Sequence, residues 1–409
     1  MQNLVTGKTL LSWLAGDESL GDFGVGPSGD QSISQVDYQY GDLRCVYLYV
    51  ICLGIYLITT INIYPLLSQV ANFPFPTLPE PTALVEAERC LKVLEALDSK
   101  GRLTPLGKAM AQYPMSPRHS RMLLTVIQIM QKVKDYSRAN TVLAYAVAAA
   151  AALSLSNPFL MEFEGNYKDP DGLKQDEKPG SLESEPDLGK EKRMRIKKLK
   201  ETAKVSRAKF SNPTSDVLTV AYTLQCFELS GKPLEFCNDN TLHFKTMEEM
   251  SKLRRQLINL VFNSKLCDSQ QDFSWHHGTL EDVECAWRIP SNKCPLQLNE
   301  EILGKAICAV WVDRVAKRIK NVSSLSESDR KVHAVQYQAC LVKEIVFLGR
   351  RSSISKSAPE YLVYTELLHS KRPFIQGATS VKENWLVKYA PSLCSFSAPL
   401  SDPNLITTH

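Results

Sequence analysis

The sequence lacks the cysteine spacing that zinc-binding and disulfide-bonded domains need. Its eleven cysteines are scattered from Cys45 to Cys394, and no two of them form a C-x-x-C pair. None stands beside a histidine at zinc-ligand spacing, and the doublet His276–His277 lies in a Ser/Trp/Gly stretch with no cysteine nearby. We therefore expect buried or free thiols in a reducing compartment, and no metal site.

A large excess of charge of one sign is also missing. The net charge is +4, with 48 Lys and Arg against 44 Asp and Glu. Because this excess is small, any preference for nucleic acid must come from local clusters of charge. The 409 residues have room for about two to four domains, and a hydrophobic content of 44% is enough for their cores.

A complete phosphate-binding loop is absent. Residues 6–9 read TGKT and match the end of the motif G-x-x-x-x-G-K-[ST], but Gln2 stands where the first glycine is needed. Glycines let the backbone N–H groups close around phosphates, so we expect no nucleotide site here.

Charged residues are missing from Cys45 to Pro79, and within this stretch Val46–Tyr64 is long enough to span a bilayer. The stretch begins too late for a signal peptide, and Arg44 alone flanks it, so the charges do not orient it. Two interpretations stay open: a transmembrane helix, or a buried or artefactual segment in front of a soluble domain. Residues 15–42 are rich in Gly, Asp and Ser, which is typical of disorder.

The pattern becomes helical after Phe73. Thr104-Pro105 predicts an N-cap followed by a first-turn proline. Residues 139–153 are apolar on all sides but too short to span a membrane, which predicts a buried central helix. Thr246 and Glu249 have capping-box spacing, and a predicted apolar stripe follows them at Met250, Leu253, Leu257 and Leu260.

The C-terminal part predicts short strands at residues 344–349, 360–369 and 373–381. Apolar residues occupy both faces of these segments, which is typical of a small closed barrel.

Several of these segments together resemble the helical "ratchet" and OB-like domains of DEAH-box RNA helicases. The matching motifs are NFPFPTLPEP, GRLTPLGKAMAQYPMSPRHSRML, SNPTSDVLTVAYTLQCF, GKAICAVWVDRVAKR and ENWLVKYAPSLC. The resemblance implies a mainly α helical bundle followed by a small OB-like β-barrel. The resemblance begins near Gln69, so most of the family's winged helix is expected to be missing.

The expected domains are 1–44, disordered; 45–72, a winged-helix remnant or transmembrane helix; 73–164, first ratchet part; 165–209, flexible charged insertion; 210–332, second ratchet part; 333–397, OB-like domain; and 398–409, tail.

The insertion contains a basic run. Lys190–Lys209 holds ten Lys or Arg against two Glu, a local charge of +8. Such a run is typical of nuclear localisation or of sequence-independent nucleic-acid binding, with a solvated helix face as the alternative. Its candidate residues are Arg193, Arg195, Lys197, Lys198 and Lys200. Together with the wording of the motifs, this insertion makes the chain most similar to the nucleolar branch of the family, which serves small ribosomal subunit assembly. The resemblance implies a plant protein.

The resemblance implies that these two domains form the floor of an RNA channel. The candidate phosphate contacts are Lys252, Arg254, Arg255, Arg350, Arg351, Lys371 and Arg372. For the first three, which fall off the predicted apolar stripe, the alternative is a solvated basic face. Tyr361, Tyr364 and Phe374 are possible stacking platforms, although core packing is the interpretation that we favour for these aromatics.

The motor motifs of the family are absent. The sequence contains no D-E-A-H, no S-A-T and no Q-R-x-G-R-x-G-R. The resemblance implies that ATP and Mg²⁺ bind to the motor of the full-length family. Because the motor motifs are missing, we expect no cofactor and no ATPase or unwinding activity in this chain alone.

The sequence therefore predicts an RNA-binding accessory module without its own motor. The implied partners are single-stranded RNA, the RecA lobes of a helicase and ribosome-assembly factors, in the nucleus and nucleolus. The alternative is a membrane-anchored or scaffolding helical protein, tethered through residues 46–64. A third possibility is an incomplete gene product without an independent role.

Overall fold

The computed structural model describes residues 81–113, 115–133, 138–159, 201–263, 273–289, 299–319, 335–369 and 372–394. It divides into two compact units, Met1–Pro117 and Arg118–His409. The predicted disordered and apolar segments of residues 1–72, the insertion up to residue 200 and Lys371 lie outside the described residues. Within the described ranges, no helix is both long and apolar enough to cross a bilayer.

In the first unit, two helices are joined by a tight loop. They are α1 (Pro81–Val93) and α2 (Pro105–Met110). As predicted, Thr104 caps α2: its side chain accepts a hydrogen bond from Gly107 N at 2.9 Å, and Pro105 is the first helical residue. The Thr104 hydroxyl also donates to the Glu95 carbonyl oxygen at 2.7 Å, which fixes the loop against the helix start.

Gly107 makes a close backbone contact that leaves no room for a side chain. A Cβ atom there would collide with the carbonyl oxygen of Ala96 and lie 2.8 Å from Leu103 Cδ1. Replacing Gly107 with alanine should lower the free energy of unfolding by about 2 kcal/mol, because the strain outweighs the better helix propensity of alanine. Urea unfolding measures this change.

The control for Gly107→Ala is Gly349→Ala. The nearest side-chain atom to a Cβ at Gly349 is 4.0 Å away, so this second substitution should change stability by less than about 0.5 kcal/mol. Equal effects of the two substitutions would contradict the steric argument.

The second unit begins with a helical region built around one apolar helix. Its helices are α3 (Pro117–Gln131), α4 (Ala139–Leu153), α5 (Asp216–Leu229), α6 (Pro233–Asn240), α7 (Phe244–Asn263), α8 (Leu280–Arg288) and α9 (Asn299–Val310). Residues 201–210 are also helical. Eleven residues of α4 are buried, and this helix packs against α5, α7 and α8. The predicted buried central helix is therefore confirmed, with the predicted bounds.

Helix α7 begins earlier than the sequence pattern predicts. His243 precedes the helix, and its Nδ1 lies 2.7 Å from Thr246 Oγ1, so the predicted capping box of Thr246 and Glu249 is wrong. Thr246 is already inside the first turn. The buried face is rotated from the predicted stripe and consists of Thr246, Met247, Met250, Ser251, Arg254, Leu257, Ile258 and Val261.

The helical region is followed by one seven-stranded sheet and a closing helix, α10 (Glu383–Tyr389). The strands are β1 (Val315–Arg318), β2 (Val335–Ala339), β3 (Ile345–Leu348), β4 (Tyr361–Val363), β5 (Glu366–His369), β6 (Pro373–Gln376) and β7 (Thr379–Val381). Their order is β5-β6-β3-β2-β1-β4-β7, and only β3 and β6 pair in parallel. This order confirms the predicted fold class of a helical region followed by a small β domain.

Three details of the predicted strands are corrected. Strands β1 and β2 were not predicted. Each of the two longer predicted segments contains two strands, and Gly377, with a φ of 60°, separates β6 from β7. The predicted closed barrel is also wrong for the described strands, because no ladder among them joins β5 to β7.

The sheet is joined to the helical region by a set of polar contacts, here called the Asp216 seam, formed by residues 214–216, 352–353 and 378–380. Ser215 and Thr379 form an antiparallel bridge, and Ser380 N donates to the Thr214 carbonyl oxygen at 2.8 Å. The Asp216 carboxylate accepts three hydrogen bonds: from Ser352 Oγ at 2.8 Å, Ser353 N at 2.7 Å and Ala378 N at 3.1 Å. The first turn of α5 thus fixes the edge strand β7.

Candidate nucleic-acid interface

The two faces of the sheet differ in chemistry. One face packs on a core that contains Tyr337, Val346, Leu348, Leu362 and Ile375. Because side chains alternate along a strand, the residues between these point to the opposite side, here called the outer face. The register brings together on the outer face Lys317, Gln336, Gln338, Ile345, Phe347, Tyr361, Leu368 and Phe374.

Lys317 and Tyr361 are paired across β1 and β4 on the outer face. The Lys317 ammonium lies 5.3 Å from the centre of the Tyr361 ring. Its interaction with the Tyr361 hydroxyl raises the pKa of Lys317, so this exposed cation keeps its charge at neutral pH. Gln338 follows as the neighbour of Lys317 on β2 and adds an exposed amide.

Two phenylalanines and an arginine lie farther along the same face. The Phe347 and Phe374 rings are 5.9 Å apart, and the Arg372 guanidinium lies 5.3 Å from the Phe347 ring centre. Phe374 is half-buried and Phe347 is buried. Cations, amides and aromatic rings on one face of a sheet match what an OB-type domain uses to hold single-stranded nucleic acid.

The structure separates the predicted stacking residues into two groups. Tyr361 and Phe374 lie on the outer face, whereas Tyr364 belongs to the core, where burial raises its pKa. The favoured interpretation of core packing therefore holds for Tyr364 and not for Tyr361 or Phe374.

The predicted cations of the sheet do not form one group. Arg372 is on the outer face beside Phe347. Arg350 and Arg351 are exposed in the turn that follows β3, next to the Asp216 seam.

The predicted cations of α7 also lie in different environments. Lys252 is exposed and pairs with Glu248 at 3.0 Å, and Arg255 is exposed. Such an exposed ion pair contributes little to stability.

Arg254, in contrast, is not available to a ligand, which corrects the expectation of an exposed residue. Its side chain is 2% exposed and lies between two carboxylates, with Nε 3.0 Å from Glu228 Oε1 and Nη1 2.9 Å from Glu284 Oε1. Burial acts to lower the pKa of Arg254, but the hydrogen bonds and charges of Glu284 and Glu228 outweigh it and the net shift is upward.

The Arg254 cluster extends to an aromatic residue. The Arg254 guanidinium lies 5.0 Å from the Trp287 ring centre, and Trp287 Nε1 donates to Glu228 Oε2 at 2.8 Å. These side chains border a cleft of about 560 Å³ between α5, α7 and α8. With its donors committed to carboxylates, Arg254 holds three helices together.

Four polar or aromatic residues of the outer face escaped the sequence analysis: Lys317, Gln336, Gln338 and Phe347. The signal for two of them was present in the alternation of VQYQA in β2, where buried Tyr337 separates the two glutamines. Lys317 follows buried Val315 and Ala316 and has no such local signal.

No group of three His, Cys, Asp or Glu in the described part of the chain could hold a metal ion. His277 Nε2 lies 2.8 Å from the Met130 carbonyl oxygen, which gives this ring a structural contact.

Three family models match the chain. The winged-helix part of the helicase-associated domain (HA2) matches residues 87–115, its ratchet-like part residues 116–220, and the oligonucleotide/oligosaccharide-binding (OB) fold residues 303–393. The winged-helix match falls on residues that the sequence analysis placed in the first ratchet part. The OB-fold match includes β1 to β7 and α10, the elements that carry the outer face.

Curated relatives match over most of the chain. It is 55% identical to "ATP-dependent RNA helicase DEAH13" of Arabidopsis thaliana over 82% of the chain, and 26% identical to "Probable ATP-dependent RNA helicase DHX37" of Homo sapiens over the same share. It is 32% identical over 61% of its length to "Probable ATP-dependent RNA helicase DHR1" of Saccharomyces cerevisiae. The matched region spans 26%, 26% and 18% of these relatives. The chain therefore belongs to the DEAH-box RNA helicases, of which it carries the C-terminal helicase-associated and OB-fold region.

Proposed function

We propose that this region holds single-stranded RNA, and that the outer face of the OB-fold sheet is its principal contact surface. The observation that carries the proposal is the row of cations, amides and rings formed by β1, β2, β3, β4 and β6. Lys317 and Arg372 meet the phosphates, and Tyr361 and Phe374 meet the bases. None of these contacts reads a base edge through a fixed pair of hydrogen bonds, so the binding has no strong sequence preference.

We also propose that the exposed cations of α7 continue the RNA contact surface onto the helical region. Lys252 and Arg255 lie on the solvent side of α7. Replacement of both should weaken binding equally for RNAs of different sequence, because phosphate contacts carry no base information.

The names of the longer relatives describe ATP-dependent RNA helicases, and we propose that the part of these proteins outside the matched region supplies the ATP-driven step. We propose that this region guides RNA past that motor and contacts its RecA lobes. A role in small-subunit ribosome assembly and rRNA processing, with ribosome-assembly factors as partners in the nucleolus, rests on the resemblance of the motifs and the basic insertion. The chain alone, without the motor motifs, should not hydrolyse ATP.

The outer face is tested by the salt dependence of RNA binding. Replacing both Lys317 and Arg372 with glutamine should lower the slope of log K against log salt by about 1.4, because each lost phosphate contact on a single strand removes about 0.7. Fluorescence anisotropy with a labelled oligonucleotide measures the slope between 50 and 200 mM salt.

The matched control for this test is Lys232→Gln. Lys232 is exposed at the start of α6, where it pairs with Glu235 at 2.9 Å. It is not part of the outer face, so its loss should leave the slope unchanged. A double variant with the slope of the unaltered protein would exclude the outer face as the contact surface.

A further inference from the structure

The turn that follows β3 carries a sequence pattern that the proposed RNA surface does not use. Residues 350–354 read RRSSI, so Ser353 has arginines two and three positions before it and an isoleucine directly after it. The pattern R-R-x-[ST] occurs once in the chain. Both arginines are exposed. Protein kinases that select basic substrates bind arginines at these two positions through carboxylates, so the pattern marks Ser353 as a candidate phosphate acceptor.

The hydroxyl of Ser353 adds nothing to the stability of this turn. Its Oγ is buried and has no hydrogen-bond partner within the described ranges, whereas Ser352 Oγ and Ser353 N both donate to the Asp216 carboxylate. A buried hydroxyl without a partner costs free energy that an alanine would avoid. Stability therefore does not explain a serine at this position, whereas phosphate transfer requires a hydroxyl.

The closed turn hides this hydroxyl, so a kinase reaches it only when the turn opens. Ser353–Ser355 form a short 3-10 helix, and a kinase binds the residues around its acceptor in an extended form. Opening costs the two hydrogen bonds to Asp216 and the burial of Ile354, and it leaves the ladders of the sheet in place. Local openings of this size occur in folded proteins without global unfolding.

We propose that Ser353 is phosphorylated by a protein kinase that selects arginines, and that its phosphate keeps the Asp216 seam open. In the reaction, Ser353 Oγ attacks the γ-phosphorus of the ATP bound to the kinase. The new P–O bond replaces the bond to the leaving ADP, and the hydroxyl proton passes to a base of the kinase. This modification site goes beyond the proposed RNA surface and does not depend on it.

The phosphate favours the open turn because of its charge. It carries about 1.5 to 2 negative charges at neutral pH, and the backbone nitrogen of the same residue lies 2.7 Å from Asp216 Oδ1. Repulsion between the two anions and the cost of burying a charged phosphate both oppose closure. Arg207 is the opposing cation: burial lowers its pKa, and the negative charge of Asp216 acts to raise it.

The site is tested with the catalytic subunit of cyclic-AMP-dependent protein kinase, which selects arginines two and three positions before a serine. Mass spectrometry of the treated chain should locate a phosphate on Ser353, and Ser353→Ala should abolish that signal. Replacing both Arg350 and Arg351 with alanine should slow the reaction by about tenfold or more, because charge-assisted bonds to the kinase are lost.

The matched control for this test is Ser357→Ala. Ser357 is an exposed serine of the same loop without arginines two or three positions before it, so its loss should leave the rate at Ser353 unchanged. Phosphate on other serines of the loop, with none on Ser353, would overturn the site.

Asp216→Asn tests whether opening of the turn limits the reaction. It weakens the bonds from Ser352 and Ser353, so the rate of phosphorylation at Ser353 should rise by about tenfold. Far-ultraviolet circular dichroism confirms that the variant folds, and Asp239→Ala, on an exposed carboxylate of α6, should leave the rate unchanged. No phosphate on Ser353 in the unaltered chain or in Asp216→Asn would overturn the site, and equal rates would contradict the need for opening.

The effect on the seam is measured by hydrogen exchange of the phosphorylated chain. Exchange at the seam residues 378–380 should become faster by about tenfold or more. Ser353→Glu should change exchange in the same direction, and Ser357→Glu should leave it unchanged. Unchanged exchange after complete phosphorylation would contradict the open seam. Slower exchange would show that the phosphate pairs with Arg207 and tightens the contact, which would also overturn the proposal.

Discussion

Replacing Arg254 with alanine should lower the free energy of unfolding by about 3–5 kcal/mol, because it leaves two carboxylates without their partner. The Glu228 side chain is 9% exposed, and its Oε2 would keep only the Trp287 indole as a donor among the contacts of this cluster. Glu284 would lose both of its hydrogen bonds from the guanidinium. Urea unfolding followed by far-ultraviolet circular dichroism measures the loss.

Arg255→Ala is the matched control for Arg254→Ala. Arg255 is adjacent in sequence but exposed, so its loss should change stability by less than about 0.5 kcal/mol. A triple variant, Arg254→Met with Glu228→Gln and Glu284→Gln, removes all three charges at once. It should recover most of the stability, since replacing a whole buried ion cluster costs far less than breaking it. Similar losses in Arg254→Ala and Arg255→Ala would contradict the assignment of Arg254 as the link between the helices.

Replacing Asp216 with alanine should lower the free energy of unfolding by about 3 kcal/mol, because three donors lose a charged acceptor. Two of these donors are the backbone N–H groups of Ser353 and Ala378, which cannot turn away towards water. The loss falls on the contact between α5 and the sheet, so hydrogen exchange should increase first at β7 and in the turn after β3.

For the Asp216 prediction, Asp239→Ala serves as the control, since Asp239 is an exposed carboxylate at the end of α6. It should leave both stability and exchange unchanged. Asp216→Asn keeps the shape of the side chain but replaces one acceptor oxygen with a donor, and it should therefore restore only part of the loss. If Asp216→Ala unfolded like the unaltered protein, the seam would not be what fixes β7.

The parts of the fold that the sequence predicted are those whose signal is local. The run of residues 139–153 is apolar on every side, and this composition alone requires burial, so α4 was found with its bounds. The cap at Thr104 and Pro105 is likewise contained within two residues.

The parts that sequence reasoning missed depend on distant partners. Arg254 was expected to be exposed because it falls off the predicted apolar stripe, and its burial is decided by Glu228 and Glu284, which lie on other helices. Strands β1 and β2 are only four and five residues long and acquire their identity by pairing with each other and with β3 and β4. The same dependence on pairing explains why a closed barrel was predicted, whereas the strands that the structure describes form an open sheet.

The bridge between Ser215 and Thr379 also bears on how the sheet avoids aggregation. An edge strand whose backbone N–H and C=O groups are unpaired can pair with a strand of another chain. Strand β7 is an edge strand of this sheet. Ser380 N and the Ala378 carbonyl oxygen are instead occupied by Thr214 and Asp216, which come from a distant part of the sequence. A fragment that begins at residue 303, where the OB-fold match begins, would lack this cover. The sheet is therefore best regarded as a domain whose boundary includes the first turn of α5.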